Sequence, residues 1–189
     1  MVASNTRDNV FMSKESRIFY LADDIDNSSA CKIGFGILDI NAEDDGAEES
    51  YKSFTRKPII LYINSRGGSA TDMWSLIDII LNSKTPVHTY CTGLAASAAF
   101  KIFLAGHKRF ISKHTTLMYH SLWASPSGMY QDLVENQKEL EFRMKQVEEY
   151  VLERTKLTPT MLEESKVSKK NLYFHGEEAL QHGLADEIM

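Results

Sequence analysis

Pro86-Val87-His88-Thr89-Tyr90-Cys91-Thr92-Gly93-Leu94-Ala95-Ala96-Ser97-Ala98-Ala99-Phe100 is the stretch on which the fold turns. Its first six residues are β-prone, and Ala98 to Leu104 is an apolar, helix-prone run. Between them lies a cluster of mostly small side chains around the hydroxyl of Ser97. Small residues at a strand-to-helix turn let backbone approach backbone or substrate closely. A serine there has its Oγ and the following N–H groups facing one space. That space lies at a helix N-terminus, where developing negative charge is favoured. Such a site suits a nucleophile. Taken alone it suits a helix cap at least as well, since Ser is a preferred N-cap.

Working outward, Pro58-Ile59-Ile60-Leu61-Tyr62-Ile63-Asn64 is a continuous apolar run of strand length. Such runs suit a strand buried on both faces, as in a parallel sheet. It ends in Ser65-Arg66-Gly67-Gly68-Ser69. Met73, Leu76, Ile77, Ile80 and Leu81 then form a helical stripe, and Pro86 closes the unit. Downstream, Ser97 to Ala105 reads as a helix terminated by Gly106, followed by short strands at 109–112 and 115–119. The repeated strand-then-helix order predicts an α/β fold with right-handed crossovers. Toward the N-terminus, residues 17–21 read as a first strand. Asp26-Asn27-Ser28-Ser29 reads as a helix start and residues 29–40 as a helix, despite Gly34 and Gly36. The acidic segment Asn41 to Ser53 reads as a surface loop or a polar helix end. Residues 1–16 read as a flexible arm and 17–189 as a single domain.

No Gly or Pro interrupts Tyr130 to Thr155, which predicts a helix of about 25 residues, roughly 38 Å long. A small domain cannot cover such a helix, so part of it is expected to project and meet another subunit. Short helices are expected near Leu157-Thr158-Pro159-Thr160 and at 176–180, with a strand-like end from Leu184 to Met189.

The 189 residues, 43% apolar and 25% charged, fit one soluble domain with a real core. The net charge of −5 gives no reason to expect nucleic acid or an anionic membrane as partner. There is no signal-like apolar region and no membrane-length run, so a cytoplasmic location is the default. Cys31 and Cys91, without CxxC spacing, read as reduced, buried thiols. No cofactor or metal is called for.

Three features converge on chemistry. Ser97 sits on its small-residue turn. Gly67-Gly68 follows a buried strand directly and can present backbone N–H groups to a phosphate or a carbonyl oxygen. Neither a dinucleotide fingerprint nor a P-loop is complete there. Met118-Tyr119-His120-Ser121 ends a short strand and places a base candidate about two dozen residues past Ser97. The other five histidines sit in ordinary surface or strand contexts.

Together these segments resemble the ClpP-type serine peptidases, the proteolytic subunits of the Clp protease. The matching segments are Tyr62 to Ser69, Gly93 to Ala99, Met118 to His120 and Glu178 to Asp186, within a likeness running from about Arg17 to Ile188. The resemblance implies an α/β, ClpP/crotonase-like fold of repeated β-β-α units with a projecting handle helix at about 130–155. It implies a serine endopeptidase cutting peptides or unfolded proteins inside an oligomeric barrel. Ser97 would be the nucleophile, His120 the general base, and the N–H groups of Gly68 and Ala98 the oxyanion hole. Self-association into a heptameric ring or double ring is implied, and residues 121–129 would border the peptide groove.

Two departures bear on this. The family usually has Pro where Arg66 stands. Its third catalytic residue is an aspartate a few residues before the closing segment, where Val167 falls in a gap-free alignment from Gly183. No aspartate occurs from Leu157 to Leu184, and Asn171 is the nearest amide. Three arrangements stay open: a Ser97–His120 dyad, a substitute partner such as Asn171 or Glu164, or a weak or inactive subunit. An enzyme of reduced or conditional activity is the favoured expectation. A regulatory paralogue that co-assembles with an active subunit is the alternative, and a crotonase-type acyl-CoA enzyme a third reading. Only about sixteen residues precede Arg17, where the family usually carries axial loops that touch an ATP-dependent unfoldase. Of the expected partners, such an unfoldase is the least supported.

Overall fold

The computed structural model describes residues 10–121 and 129–189. In chain order the elements are β1 (Val10–Ser13), β2 (Ile18–Ile25), α1 (Asn27–Ser50), β3 (Ile59–Gly68), α2 (Ala70–Leu81), β4 (Val87–Ala96) and α3 (Ala98–Leu104). Then follow β5 (Lys108–Ile111), β6 (Thr116–Tyr119), α4 (Tyr130–Arg154), α5 (Pro159–Ser168), β7 (Leu172–His175), α6 (Gly176–Gln181) and β8 (Glu187–Ile188). One sheet runs β1-β2-β3-β4-β5-β8, with β6 paired to both β4 and β7. The pairs β2–β3, β3–β4, β4–β5, β4–β6 and β5–β8 are parallel, as the βαβ pattern predicts.

Strand β4 holds two partners in succession. His88 to Cys91 pairs with β5, whereas Leu94 to Ala96 pairs with β6. The change occurs at Gly93, whose φ of 92° lies in the left-handed region. A Cβ there would stand 2.8 Å from Asn64 Oδ1, so only glycine fits the bend. The same Asn64 oxygen accepts the Leu94 N–H at 3.2 Å, which fixes the restart of the strand.

Helices α1, α2 and α3 pack side by side against β2, β3 and β4. The predicted α2 stripe is the buried face, with Met73, Leu76, Ile77 and Ile80 all in the core. Burying each such side chain is worth about 1.5–3 kcal/mol. The opposite face of the sheet is less covered than a parallel sheet suggests. β3 alternates, with Ile59, Leu61 and Ile63 buried and Ile60 and Tyr62 half-buried. Tyr20, Tyr62, Tyr90 and Phe110 stack along that face at centroid spacings of 6.1, 5.2 and 4.4 Å. Aromatic rings, half-buried, line this face of a strand whose apolar run suggested burial on both faces.

Several elements differ from the sequence reading. Val10 to Ser13, expected to belong to a loose arm, pairs antiparallel with β2, and Val10 is buried; the rest of that arm, 1–9, lies outside the described residues. Helix α1 runs unbroken to Ser50, so of the two readings of the acidic segment, surface loop or polar helix end, the second holds up to that residue. Its start is fixed by a capping box between Asp26 and Ser29. Gly34 and Gly36 are close-packing points, not breaks. A Cβ on Gly36 would lie 2.3 Å from the Phe19 ring, and one on Gly34 would lie 2.8 Å from Ile79.

The acidic half stays helical because distant basic residues neutralise it. Arg17 holds Asp44, Arg56 holds Asp45 and Glu48, and Lys14 holds Asp39 and Glu43. Cys91 is buried as expected, but Cys31 is exposed on the outer face of α1. Among the described residues, the buried side chains of helix α4 lie in its later turns, at Val147, Tyr150 and Val151, while Phe142 remains 62% exposed. Among the described residues no helix is long and apolar enough to cross a membrane.

Asp44 is buried and takes two Arg17 bonds, at 2.5 and 2.8 Å, and one from Thr85 Oγ1 at 2.6 Å. Arg17 is the main reason its carboxyl sits below the usual carboxylate range. Asp44→Ala is expected to cost about 2–4 kcal/mol, read from the urea midpoint. A depressed carboxylate stabilises above its unfolded value, near 4, and that stabilisation fades as pH falls through the lower folded value. The variant and wild type should therefore converge in acid. An undiminished gap once Asp44 is protonated would contradict the assignment.

Candidate active site

The site forms where β4 ends. Pairing with β6 continues to Ala96↔Met118, after which the Ser97 N–H donates to the Met118 carbonyl at 3.0 Å. The chain then reverses into α3 through Ser97 itself, which has φ 56° and ψ −119°. A non-glycine residue there carries strain of about 1–3 kcal/mol. Although Ser97 stands at the N-cap position, its side chain makes no cap hydrogen bond. The helix-cap alternative for this serine therefore fails, and its hydroxyl is free of that duty. A strained strand-to-helix turn that presents a serine Oγ is the geometry of a nucleophile elbow.

Gly67 makes this turn feasible. A Cβ on it would meet Ser97 Cβ at 2.8 Å and Ala98 N at 3.0 Å, and its φ is 110°. Gly68, with φ 151°, is pressed on the other side against β2, where a Cβ would fall 2.2 Å from the Ile25 carbonyl oxygen. The peptide joining the two glycines therefore runs beside the start of α3. The first N–H groups of a helix lack intrahelical acceptors, which leaves the Ala98 N–H available to an incoming oxygen. The Gly67 N–H donates to Ser65 Oγ at 3.1 Å, and the Ser65 hydroxyl donates in turn to the Asp23 carbonyl. The first bond lies within β3, and the second ties the glycine turn to β2. After it, Ser69 caps α2 by accepting from the Asp72 N–H.

His120 follows directly on β6, and is half-buried. Parallel pairing brings the ends of β4 and β6 together, so Ser97 and His120 emerge from neighbouring strand ends. His120 Nδ1 lies 2.5 Å from the Ser121 carbonyl oxygen. A carbonyl only accepts, so Nδ1 carries the proton and Nε2 keeps its lone pair. That is the tautomer a general base needs. Burial is the first cause holding the imidazole below its ordinary value, and the nearby charge of Lys101 is the second. The Ser121 carbonyl acts in the opposite direction.

Among the described residues no carboxylate meets the His120 ring. Val167, the gap-free position for the family's acid, is 73% exposed on α5. Antiparallel pairing of β6 with β7 reaches Tyr119↔Leu172, so one further step sets Asn171 across from His120. On register, Asn171 is thus the residue of this region set beside the histidine. Its amide nevertheless donates to Tyr173 Oη at 3.2 Å. Strand β7 went unforeseen in the sequence, and with it this juxtaposition. Glu164 lines a cleft of about 1050 Å³ between α4 and α5, together with Glu148, Val167 and Asn171. Ser97, Gly68, Ala98 and His120 do not line that cleft. Most of the expected groove segment, 122–128, lies outside the described residues.

Sequence reading passed over Lys101. It is the one charge in the α3 run Ala98-Ala99-Phe100-Lys101-Ile102-Phe103-Leu104 and is only 1% exposed. Its Nζ donates to the His120 carbonyl at 3.2 Å and lies 5.1 Å from the Tyr119 ring centroid. A single cation inside an otherwise apolar helix was the available signal. Cys91 is no competing nucleophile, since burial pushes its thiol up to about 12. No three His, Cys, Asp or Glu side chains gather as a metal site among the described residues.

The Clp protease family model matches residues 4–189 of the chain. The ATP-dependent Clp protease proteolytic subunit 4 of Rhodococcus jostii is 30% identical over 175 residues, which cover 92% of this chain and 84% of that one. Subunit 2 from Synechococcus sp. is 29% identical over 175 residues, or 92% and 83% of the two chains. Subunit 1 from Shouchella clausii is 27% identical over 177 residues, or 93% and 86%.

Gly67→Ala should destabilise by about 2 kcal/mol or more, since it combines a left-handed φ with contact against the Ser97 turn. Gly46→Ala, in a helix with nothing within 4 Å of the new methyl, should stabilise by up to about 1 kcal/mol. Urea unfolding of both variants checks the contrast, and equal effects would contradict the close-approach argument.

Proposed function

The chain belongs to the Clp protease family, and from that premise we propose that it hydrolyses peptide bonds by acyl transfer through Ser97. His120 Nε2 takes the hydroxyl proton, and Oγ attacks the peptide carbonyl. The N–H groups of Gly68 and Ala98 receive the oxyanion. One such donor is typically worth about 3–4 kcal/mol of transition-state stabilisation. His120 then returns the proton to the leaving amine, and water repeats the sequence on the acyl-enzyme. The observation that carries the reading is Ser97 at φ 56°, without a cap bond, one strand end from His120.

Among the described residues no carboxylate compensates the imidazolium that forms in this cycle. The Ser121 carbonyl orients the ring but supplies only a dipole, where a triad acid supplies a full charge. Loss of that acid in other serine proteases costs on the order of 10⁴ in rate. A slow peptidase with a Ser97–His120 dyad follows. The same observation favours a second reading, a regulatory subunit co-assembled with an active one.

Self-association belongs to the proposal. The earlier turns of α4 are poorly covered, with Phe142 exposed and Met129 exposed just before the helix, and a second copy is the occupant the family suggests. A ring or double ring of seven subunits follows the family pattern. The relatives' names specify ATP dependence, which would place an ATP-driven unfoldase beside this chain. Peptides and unfolded proteins are the proposed substrates.

Hydrolysis of short fluorogenic peptides tests the reading. Ser97→Ala should abolish it, and Asn171→Ala should change it less than about threefold, because the Asn171 amide serves Tyr173. A large loss in Asn171→Ala would make that residue the third member instead. Light scattering at micromolar concentration should give a multimer, and Phe142→Glu should dissociate it. A monomeric wild type would contradict the role of α4.

A further inference from the structure

Lys101 is a costly residue for its position. The helix around it is wholly buried, and leucine or methionine would fill the same space without desolvating an amine. Its side chain is directed by two groups. The Nζ donates to the carbonyl of His120 and lies over the ring of Tyr119. On the other side the main chain is fixed, because Tyr150 Oη of α4 donates to the Lys101 carbonyl at 3.0 Å. Lys101 also stands one helical turn past Ser97, with its N–H on the Ser97 carbonyl at 3.4 Å. One residue thus touches the main chain of both proposed catalytic residues.

We propose that Lys101 is a positioning residue for His120, anchoring the end of β6 through the His120 carbonyl and setting by its charge how readily the imidazole accepts the Ser97 proton. The proposal rests on the peptidase reading above for its catalytic consequence, but not for its electrostatic one.

The charged groups around Lys101 do not compensate it. Burial alone brings its amine down to about 7. Tyr119 and Tyr150 are pushed up by burial and remain neutral phenols. Glu148 of α4, whose charge reaches Tyr119, is paired to Lys166 at 3.4 Å. His120 therefore feels a cation whenever Lys101 is protonated. With Lys101 charged, the imidazolium required in the transition state is opposed. With Lys101 neutral, that opposition vanishes, while an amine N–H still serves the carbonyl. Activity should rise as pH increases through about 7, above a separate loss below 6.5 where His120 itself protonates.

The test uses the full-length chain and two variants. Lys101→Met removes donor and charge, and Lys101→Gln keeps a donor without the charge. The first readout is the His120 ring titration by nitrogen-detected NMR, which requires no turnover. His120 should titrate below 6.5 in the wild type and move upward in both variants. No movement in either variant would overturn the proposal. The second readout is the pH profile of peptide hydrolysis, in which both variants should lose the step near 7. Persistence of that step would equally overturn it. A shifted His120 titration without hydrolysis in any form would uphold the coupling and sink the peptidase reading, so the two failures are distinguishable. Lys101→Gln should retain more activity than Lys101→Met if the carbonyl anchor matters, and equal activities would remove the anchoring part.

Discussion

Everything at the site depends on the exchange of partners along β4. Its first half is an ordinary parallel neighbour of β5. Its second half, after the bend at Gly93, is a neighbour of β6. That exchange carries Ser97 to the end of the strand that delivers His120. The Ser97 N–H bond to Met118 then closes the pairing just as the chain reverses. The reversal requires a backbone conformation that L-residues avoid, and it is accepted only because Gly67 leaves room beneath it. Two glycines from different strands, Gly67 and Gly93, thus permit one serine to be presented.

Surrounding packing makes this strained turn tenable. Helix α3 is buried throughout, so its start cannot relax outward. Arg154 of α4 donates to the carbonyls of Leu104 and Gly106, which secures the other end. Arg109 binds the carbonyls of Arg154 and Gly183 and the carboxylate of Asp186, tying α4 to the C-terminal segment. The proposed nucleophile therefore sits on a helix clamped at both ends, while its proposed base hangs from a four-residue strand. His120 lies one residue past the last paired position of β6, where Lys101 Nζ bonds its carbonyl.

The legible parts of the sequence were those governed by local rules. Gly67-Gly68 after an apolar run, small residues around Ser97, and the α2 stripe each carry their meaning within a few positions. The illegible parts depend on residues far apart in the chain. The acidic half of α1 stays undecided between loop and helix end until Arg17 and Arg56 are placed against it. Asn171 has no meaning beside His120 until β7, only four residues long, pairs with β6. Lys101 was hidden for the opposite reason. An apolar helix was recognised correctly, and the one residue that broke its pattern was absorbed into it. The exposed side of Cys31 was missed because a lone cysteine defaults to burial.

The central claim is that this fold presents Ser97 as a nucleophile served by His120. Reaction of the assembled protein with a fluorophosphonate, followed by peptide mapping, tests it most directly. The account predicts one adduct, on Ser97, that forms more slowly below pH 6.5 and is lost in His120→Ala. No adduct, an adduct on another residue, or undiminished labelling of His120→Ala would contradict it.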